Sequence, residues 1–370
     1  MSELWIVQPY VPAYRVPFFE HLAVELESDG ITLRVVAGTP RGAQAARGDA
    51  TRPDWLVKAR DRTVPVAGRT LTLTSTYPLW RNAEAVIVPH MGSSLDAYRA
   101  LFRPFSRRKV GVWGHIASYV NAPHPVDAAL ERWQLRRADQ VFAYTPSGAR
   151  FARSVGVAPD RVTTVMNAVD TDRLRYDFEQ LTEAELQEFR TRHKLPSGPL
   201  AAYIGGLDAD KRIDFLAATL DELSRLGSSV HLVVGGTGVD AHLLNDARLR
   251  GQVTMLGYIR GTEKAALLKS AQAIVNPGRI GLLAVEALAV GRPVFTTLWP
   301  YHAPEAEYLR EGESRFSSPD SPNAFANLIS QQIRTGVSLI RAENVPSLTG
   351  MVHKFAAGAR HLVFGQNDRV

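Results

Sequence analysis

A loop and helix near the carboxyl end of the chain combine groups that could hold a phosphate and a sugar hydroxyl. Residues 273–297 read as a short strand, a glycine-bearing loop, a helix and a second strand. A loop that enters a helix from a strand's carboxyl end presents unpaired N–H groups and the positive end of the helix dipole. Glu286 interrupts this otherwise apolar helix, and its carboxylate can accept two hydrogen bonds from a vicinal diol such as a ribose.

Two other loops of the same half end strands with cations or with glycine. Lys211 and Arg212 open a helix, where a cation opposes the dipole, so a bound anion explains them better than solvation does. Gly235, Gly236 and Gly238 follow the next strand and bring flexible backbone. Together the loops predict a diphosphate site. No Walker A pattern is present and the glycines do not fit G-x-G-x-x-G, which disfavours a dehydrogenase.

The elements that position these groups alternate as strand and helix throughout the chain, which predicts an α/β fold with parallel sheets. Residues 195–199 form the clearest linker, after which the pattern restarts. We therefore expect two Rossmann-like doubly wound domains, at 1–194 and 195–345, with a final helical segment at 346–370. Residues 43–69 show little periodicity and predict a long loop.

A histidine and two paired-aspartate motifs are further candidates for chemistry. His115 follows a strand and a glycine, a position that points into the ligand crevice of a doubly wound sheet. The pairs at 170–172 and 208–210 resemble the D-x-D motif that holds a metal on a sugar nucleotide. The second pair lies beside Lys211, whose charge would serve phosphates without a metal, so we interpret both pairs as turn or cap chemistry.

The composition is that of an ordinary globular protein and excludes several classes of site. The 370 residues are 45% hydrophobic and include no cysteine, which excludes disulfides, thiolate metal sites and a cysteine nucleophile. No apolar stretch reaches the roughly 20 residues of a membrane span and no signal core is evident, so we expect a cytoplasmic location. The net charge of +6 suits acidic partners, but no RNA-binding pattern appears.

The cations at 99–109 leave two interpretations open. Five arginines and lysines lie there without an acidic residue and with aromatic residues among them. They predict either a solvated surface or a peripheral contact with anionic lipid at the inner face of the membrane.

An ordered set of segments resembles the retaining glycosyltransferases of family 4, which have the GT-B fold. In the first half the segments are YVPAYRVPFFEHL at 10–22, ADQVFAYTPSGARF at 138–151 and VMNAVDTDRL at 165–174. In the second half they are YIGGLDADKRIDFL at 203–216, VVGGTG at 233–238, VTMLGYI at 253–259 and PGRIGLLAVEALAVGRPV at 277–294. The resemblance implies two domains facing across a cleft, with the nucleotide-sugar donor on the second and the acceptor on the first, and a final helix at 346–370 that packs back on the first domain.

The resemblance also implies roles for individual residues, without a cofactor or a metal. Lys211 and His115 would be catalytic: Lys211 would bind the donor diphosphate and His115 would face the donor sugar. The expected donor-binding residues are Arg212, Gly235, Gly236, Gly238, Tyr258, Ile259, Gly278, Arg279, Gly281, Leu282 and Glu286. The expected acceptor-binding residues are Tyr10, Tyr14, Arg15 and Ser93.

Two positions depart from the family pattern. Gly278 stands where a glutamate normally contacts the transferred sugar, and Gly206 stands where an arginine is usual. We expect an active variant in which Arg212 or Arg279 replaces the missing charge. The implied reaction is retaining transfer of a sugar to a glycan or lipid-linked acceptor, in polysaccharide or glycoconjugate biosynthesis. A sugar-nucleotide epimerase, a phosphorylase-like enzyme and a nucleotide-sugar-binding scaffold without catalysis stay open as alternatives.

Overall fold

The chain divides into two compact units. The computed structural model describes residues 1–40, 50–66, 69–103, 107–117, 125–336, 339–340 and 345–365. The first unit comprises Met1–Val169 with Leu348–Val370, and the second comprises Asp170–Ser347. The sequence places the boundary at 194/195, whereas the contacts place it at 169/170. The difference arises because the helices Thr171–Gln180 and Glu183–Arg192 pack on the second unit.

The first unit is built on a parallel sheet of seven strands in the order β3-β2-β1-β6-β7-β8-β9. The strands are β1 (Ser2–Gln8), β2 (Ile31–Ala37), β3 (Val57–Lys58), β6 (Ala85–Pro89), β7 (Lys109–Gly114), β8 (Gln140–Ala143) and β9 (Val162–Thr164). Two more strands, β4 (Asp61–Val66) and β5 (Arg69–Thr74), form a separate antiparallel ribbon. The loop predicted at 43–69 is therefore wrong over β3 and β4, and its residues 43–49 and 67–68 lie outside the described part.

The helices of the first unit include one from the far end of the chain. They are α1 (Val16–Glu27), α2 (Tyr77–Trp80), α3 (Leu95–Leu101), α4 (Pro125–Arg137), α5 (Pro146–Ser154) and α13 (Leu348–Phe364). Helix α13 packs on α1 and on the sheet. Its Phe355 ring lies 4.5 Å from that of Phe142 and 4.9 Å from that of Trp113. The core of the first unit is thus completed by a helix that follows the second unit in the sequence.

The second unit repeats the doubly wound pattern. Its strands are β10 (Leu200–Ile204), β11 (His231–Gly235), β12 (Val253–Gly257), β13 (Ala273–Val275), β14 (Val294–Thr297) and β15 (Arg315–Ser318), all parallel. The order β12-β11-β10-β13-β14-β15 reverses direction at β10. Along β10, Ala201 and Tyr203 join one core cluster while Ala202 joins the other. Alternate side chains therefore pack under helices on both faces of the sheet.

The helices of the second unit cover the two faces. They are α6 (Thr171–Gln180), α7 (Glu183–Arg192), α8 (Ile213–Arg225), α9 (Asn245–Leu249), α10 (Gly261–Ser270), α11 (Leu283–Ala289) and α12 (Pro322–Thr335). Helix α7 begins with a capping box in which Thr182 and Glu185 satisfy each other's backbone N–H groups. Both units are Rossmann-like, which confirms the predicted fold class. In the described part, no helix combines the length and apolar character needed to cross a membrane.

Candidate active site

The loops that follow β10 and β13 meet at the carboxyl edge of the second sheet. These strands are neighbours at the point where the strand order reverses, which is where open α/β sheets bind ligands. The N–H of Arg279 donates to the carbonyl of Asp210 at 2.9 Å. The ammonium of Lys211 donates to the carbonyl of Arg279. The structure therefore brings Lys211 and the loop 276–282 together, and their binding of a diphosphate stays a prediction.

Gly278 forms the closest contact between these two loops. It is buried, and a Cβ placed on it would lie 2.4 Å from the carbonyl carbon of Lys211. That neighbour is backbone and cannot swing aside as a flexible side chain would. A glutamate at this position would force the Lys211 loop away from its place. The glycine is therefore part of how this variant of the site is packed.

Only part of the backbone of this loop is free to bind a ligand. The N–H of Gly278 donates to the Asn276 side chain, and the N–H of Ile280 donates to His302 Nδ1 at 3.4 Å. Among the described residues, the N–H groups of Gly281 and Leu282 have no acceptor, and both residues are partly exposed. These two N–H groups are the ones that the sequence assigned to the donor phosphate.

His302 holds this loop and is absent from the sequence-based site. Its Nε2 donates to the carbonyl of Thr297 at 3.1 Å, while its Nδ1 accepts from the loop, so the neutral tautomer fits both contacts. Burial lowers the pKa of His302. No motif pointed to it, because the contact depends on β14 lying beside β13.

Two glycines allow the loop after β11 to approach the loop after β10, and a third, at the end of β11, contacts the segment after β12. A Cβ on Gly236 would lie 1.8 Å from the carbonyl oxygen of Gly205, and one on Gly238 would lie 2.1 Å from that of Leu207. A Cβ on Gly235 would lie 2.3 Å from Ile259 Cδ1. These glycines allow the loops to approach closely, which is a reason for their presence that the sequence did not supply. Contact of Gly235, Gly236 or Gly238 with a donor stays a prediction.

Ile259 is buried, with 8% of its surface exposed. Its side chain packs on Gly235 below the carboxyl edge, so it offers little surface to a nucleobase. The expectation that Ile259 flanks the base stays a prediction. Tyr258 is 70% exposed and can still do so.

Glu286 forms an ion pair that the sequence did not reveal. Its Oε1 accepts a hydrogen bond from Lys264 Nζ at 2.7 Å, and the two side chains are 15% and 23% exposed. Burial alone would lower the pKa of Lys264, but the attraction and hydrogen bond of Glu286 outweigh it and raise the pKa, with a smaller contribution from Tyr258. Lys264 thus interacts with both residues predicted to hold the nucleoside, Glu286 and Tyr258. It lies in α10, outside the motifs that carry the resemblance.

Arg212 differs from Lys211 in its surroundings. It has a left-handed backbone, with φ of 56°, and it precedes α8. Its guanidinium forms an ion pair with Asp320 and lies 4.2 Å from the centre of the Phe215 ring. The guanidinium also donates to the carbonyl of Pro277, in the loop 276–282, at 3.4 Å. Contact of Arg212 with the phosphates stays a prediction.

Arg279 is the other cation expected to replace the missing charge, and it lies beside Asp210 in the loop that follows β10. Its Nη1 is 3.9 Å from Asp210 Oδ2, and its side chain is 20% exposed. Arg279 thus retains a position next to Lys211, and its contact with the donor stays a prediction.

The two D-x-D motifs differ in the structure. Asp170 caps α6 and accepts from the N–H of Arg173 at 3.0 Å, which confirms the cap interpretation for that pair. Asp208 precedes a 3-10 turn at Ala209–Lys211, and its carbonyl accepts from the N–H of Lys211 at 3.0 Å, which confirms the turn interpretation for the second pair. Among the described residues, no group of three or more possible metal ligands lies together. Metal independence stays a prediction.

In the first unit, His115 lies at the carboxyl edge of β7 and is exposed. Its ring packs edge-on against Tyr144, with 4.8 Å between the centres. The next residue, Ile116, is buried with φ of 71°, a conformation that costs a β-branched residue on the order of 1–3 kcal/mol. Strained backbone of this kind is frequent at active sites, which supports His115 as a candidate. Its contact with a donor sugar stays a prediction.

Of the residues expected at the acceptor, Arg15 is buried with 5% exposure. Its guanidinium bonds to the Asn167 side chain and lies between the Tyr14 and Trp113 rings, at 5.3 and 5.6 Å from their centres. These contacts give Arg15 a structural role, and they do not support one at an acceptor. Tyr14 is 41% exposed, while Tyr10 and Ser93 are partly exposed. The acceptor roles of these three stay predictions.

The basic stretch at 99–109 divides into structural and exposed cations. Arg103 pairs with Asp139, and Arg108 is buried over the Trp80 ring at 4.9 Å. These two cannot reach a lipid surface without leaving their partners. Arg99, Arg107 and Lys109 remain partly or fully exposed, beside a 74% exposed Phe102, while Phe105 lies outside the described residues. A lipid contact stays a prediction, carried by fewer charges than the sequence suggested.

Two family models match most of the chain. One described as Glycosyltransferase Family 4 matches residues 18–173, and one described as Glycosyl transferases group 1 matches residues 198–335. The chain belongs to this glycosyltransferase family. The two models fall on the two units, so the motifs and the fold agree.

Curated relatives match part of the chain. A 2-deoxystreptamine glucosyltransferase from Streptomyces kanamyceticus is 26% identical over 50% of this chain and 49% of its own length. An alpha-D-kanosaminyltransferase from the same organism is 25% identical over 46% of this chain and 45% of its own length. The match thus spans about half the length of each relative.

Solved structures with the same fold match nearly the whole chain. A glycosyltransferase from Rickettsia africae superimposes with a TM-score of 0.70 at 14% identity, covering 99% of both chains. Anabaena HepE in complex with UDP and glucose gives a TM-score of 0.65 at 14% identity, covering 97% of this chain and 99% of that one. A Listeria monocytogenes protein described as a UDP-N-acetylglucosamine 2-epimerase gives 0.66 at 13% identity, covering 100% and 98%. At these identities the likeness shows the GT-B fold alone.

Proposed function

We propose that this protein transfers a sugar from a nucleoside-diphosphate-sugar to a glycan or lipid-linked acceptor, with retention at the anomeric carbon. The observation that carries the proposal is the meeting of Lys211 with the loop 276–282 at the point where the strand order reverses. Membership of the family and the UDP bound by the HepE relative support a nucleotide-sugar as the donor.

In the proposed reaction, the bond between the anomeric carbon and the diphosphate oxygen breaks and its electron pair leaves with the diphosphate. Lys211 and the N–H groups of Gly281 and Leu282 stabilise the charge that develops there. The acceptor hydroxyl oxygen forms the new bond to the anomeric carbon, and its proton passes to the departing diphosphate. Glu286 holds the ribose hydroxyls through the carboxylate oxygen that Lys264 does not occupy. We assign no metal to this step.

A small amine-bearing acceptor is a second candidate, favoured by a specific comparison. The two curated relatives are named for transfer to 2-deoxystreptamine and for transfer of kanosamine. An aminocyclitol therefore belongs in the acceptor panel beside lipid-linked sugars.

The donor is tested by thermal shift with UDP, GDP, ADP and TDP, with and without EDTA. A ligand that binds only the native state raises the melting temperature by mass action. We expect one nucleotide to raise it, independently of EDTA, and we expect Lys211→Met and Glu286→Gln to abolish the shift. Arg225→Gln is the matched control, since Arg225 lies at the end of α8 far from this edge and pairs with Glu222. A shift that survives both site variants would place the nucleotide elsewhere.

Catalysis is tested by following the preferred nucleotide-sugar by NMR. Slow hydrolysis of the donor, or transfer with unchanged anomeric configuration, supports the enzyme. Binding without turnover supports the scaffold, and a product epimerised at C2 of the donor sugar supports the epimerase.

A further inference from the structure

A cavity lies at the amino edge of the second sheet, away from the proposed donor site. It has a volume of about 680 Å³ and is lined by α7, the segment 194–197 that precedes β10, and the residues that precede β13 and β14. This volume falls in the range of small-molecule pockets. Leu186 and Leu195 supply an apolar wall.

Four cations from three chain segments line this cavity: Arg190, Lys194, Lys269 and Arg292. The lining contains one carboxylate, that of Glu183. Among the described residues, none of the four cations forms an ion pair. The lining therefore carries a net positive charge, with four cations against the one carboxylate of Glu183.

Three of these cations bond to backbone carbonyls at the ends of helices. Arg190 donates to the carbonyl of Ser270 at 3.3 Å, Lys269 to that of Leu181 at 2.7 Å, and Arg292 to that of Lys269 at 2.9 Å. Cations near helix C-termini are favourable, so these contacts explain their positions. Burial nevertheless lowers the pKa of Arg292, because no anion compensates its lost hydration.

Lys194 is not explained by such contacts. It follows α7 with φ of 53°, at the position where a helix ends with a left-handed residue that is usually glycine. The N–H of Leu195 returns to the carbonyl of Arg190 at 2.9 Å, which completes this helix end. A lysine there carries a backbone cost that a glycine would avoid, and its exposed side chain adds a fourth charge to the cavity.

We propose that this cavity is a binding site for a phosphate-bearing small molecule, separate from the donor site. Guanidinium groups bind phosphate oxygens through paired hydrogen bonds, and lysine adds point charge. The cations reach the cavity from the ends of α7 and α10 and from the turns before β10 and β14. The apolar wall suits the non-phosphate part of the ligand.

Calorimetry with inorganic pyrophosphate on the full chain tests the proposal. The Lys211→Met background removes the ammonium of the proposed donor site, so that the remaining binding reports the cavity. In that background we expect Lys194→Gly to weaken pyrophosphate about tenfold and Lys194→Gly/Lys269→Gln to abolish it, as loss of charge-assisted hydrogen bonds predicts. Because glycine suits the positive φ, Lys194→Gly should keep or raise the melting temperature.

Arg192→Gln is the control, because Arg192 lies on the same helix but is already paired with Glu188 and Glu263. No binding of pyrophosphate at millimolar concentration, or equal affinity in Lys194→Gly and its background, overturns the proposal. Equal loss in Arg192→Gln also overturns it, since the effect would then be one of overall charge.

A second arm separates a soluble ligand from a lipid headgroup that carries the same phosphate chemistry. If the protein cosediments with phosphatidylglycerol vesicles but not with phosphatidylcholine vesicles, and Lys194→Gly abolishes this cosedimentation, the phosphate belongs to a lipid. Pyrophosphate binding without cosedimentation assigns it to a soluble molecule.

Discussion

Gly206 and Gly278 both replace side chains that the family pattern provides, but their surroundings differ. A Cβ on Gly278 would meet the backbone of Lys211 at 2.4 Å, whereas a Cβ on Gly206 would meet only the Asp208 carboxylate, at 2.9 Å from Oδ2. Gly206 is also exposed. The two departures are therefore physically distinct. Gly278 is required by packing, whereas Gly206 has room for a side chain.

We expect Gly206→Arg to fold and to bind UDP about tenfold more tightly, because a cation returns beside the proposed diphosphate site and the Asp208 side chain can move aside. Gly206→Gln is the matched control, with a polar stem and no charge. Titration calorimetry measures both. Equal affinities in the two variants would show that charge at 206 is not what the site lacks.

We expect Gly278→Glu to lower the free energy of unfolding by about 2–3 kcal/mol and to abolish nucleotide binding, since the Lys211 loop must shift. Chemical denaturation and a UDP titration measure the two effects. Wild-type stability in Gly278→Glu would mean that the loops are less tightly packed than the Gly278 contact indicates.

The ion pair between Lys264 and Glu286 should contribute both to stability and to nucleoside binding. Lys264→Met leaves a carboxylate unpaired in a partly buried place, so we expect a loss of about 2 kcal/mol in stability together with at least tenfold weaker nucleoside binding. Lys264→Arg should restore binding in part. If Lys264→Met bound uridine as the parent does, Glu286 would not need its partner for orientation.

At the scale of elements, α13 is the part of the first unit that the chain supplies last. Phe355 is fully buried between α1 and the sheet, and its ring contacts those of Phe18, Trp113 and Phe142. We expect Phe355→Ala to destabilise the first unit by about 4 kcal/mol while the second unit keeps its stability and its UDP affinity.

Tryptophan fluorescence measures this effect selectively, because five of the six tryptophans lie in the first unit and only Trp299 lies in the second. Ile329→Ala in α12 is the control, since Ile329 is buried in the core of the second unit. Ile329→Ala should mainly lower the stability of the second unit, whose unfolding transition is the one that UDP shifts. A single transition that moves equally in both variants would contradict independent units.

For the whole molecule, buried histidines make stability depend on pH. Burial lowers the pKa of His90 in the first unit to about 4, and it also lowers those of His231 and His302 in the second. As pH falls below about 6.5, the unfolded chain binds protons that the folded chain excludes, so stability falls. For His90 the loss is complete near its folded pKa and amounts to at most about 3 kcal/mol.

Denaturant unfolding between about pH 7.5 and about pH 5 measures this slope. We expect His90→Gln to flatten the pH dependence of the tryptophan-detected transition, since glutamine has no proton to gain. A slope unchanged in His90→Gln would assign the acid sensitivity to other groups.

The sequence by itself determined the fold class, the repeated strand–helix pattern and the family, because these depend on periodicity and on motifs short enough to read locally. It also placed Lys211 and the glycine loops after strand ends, and Glu286 in the helix that follows one of them, since the carboxyl ends of parallel strands share one edge. Those inferences needed only the order of residues along each element.

Only the tertiary structure decided which side chains meet. Arg212 forms an ion pair with Asp320, Arg15 donates a hydrogen bond to Asn167, and Ile259 packs against Gly235. Each of these partners is distant in the chain. The pairing of Lys264 with Glu286 and the gathering of cations at the amino edge likewise depend on strand order. Such contacts join segments whose spacing carries no local signal, so they exist only once the sheet has formed.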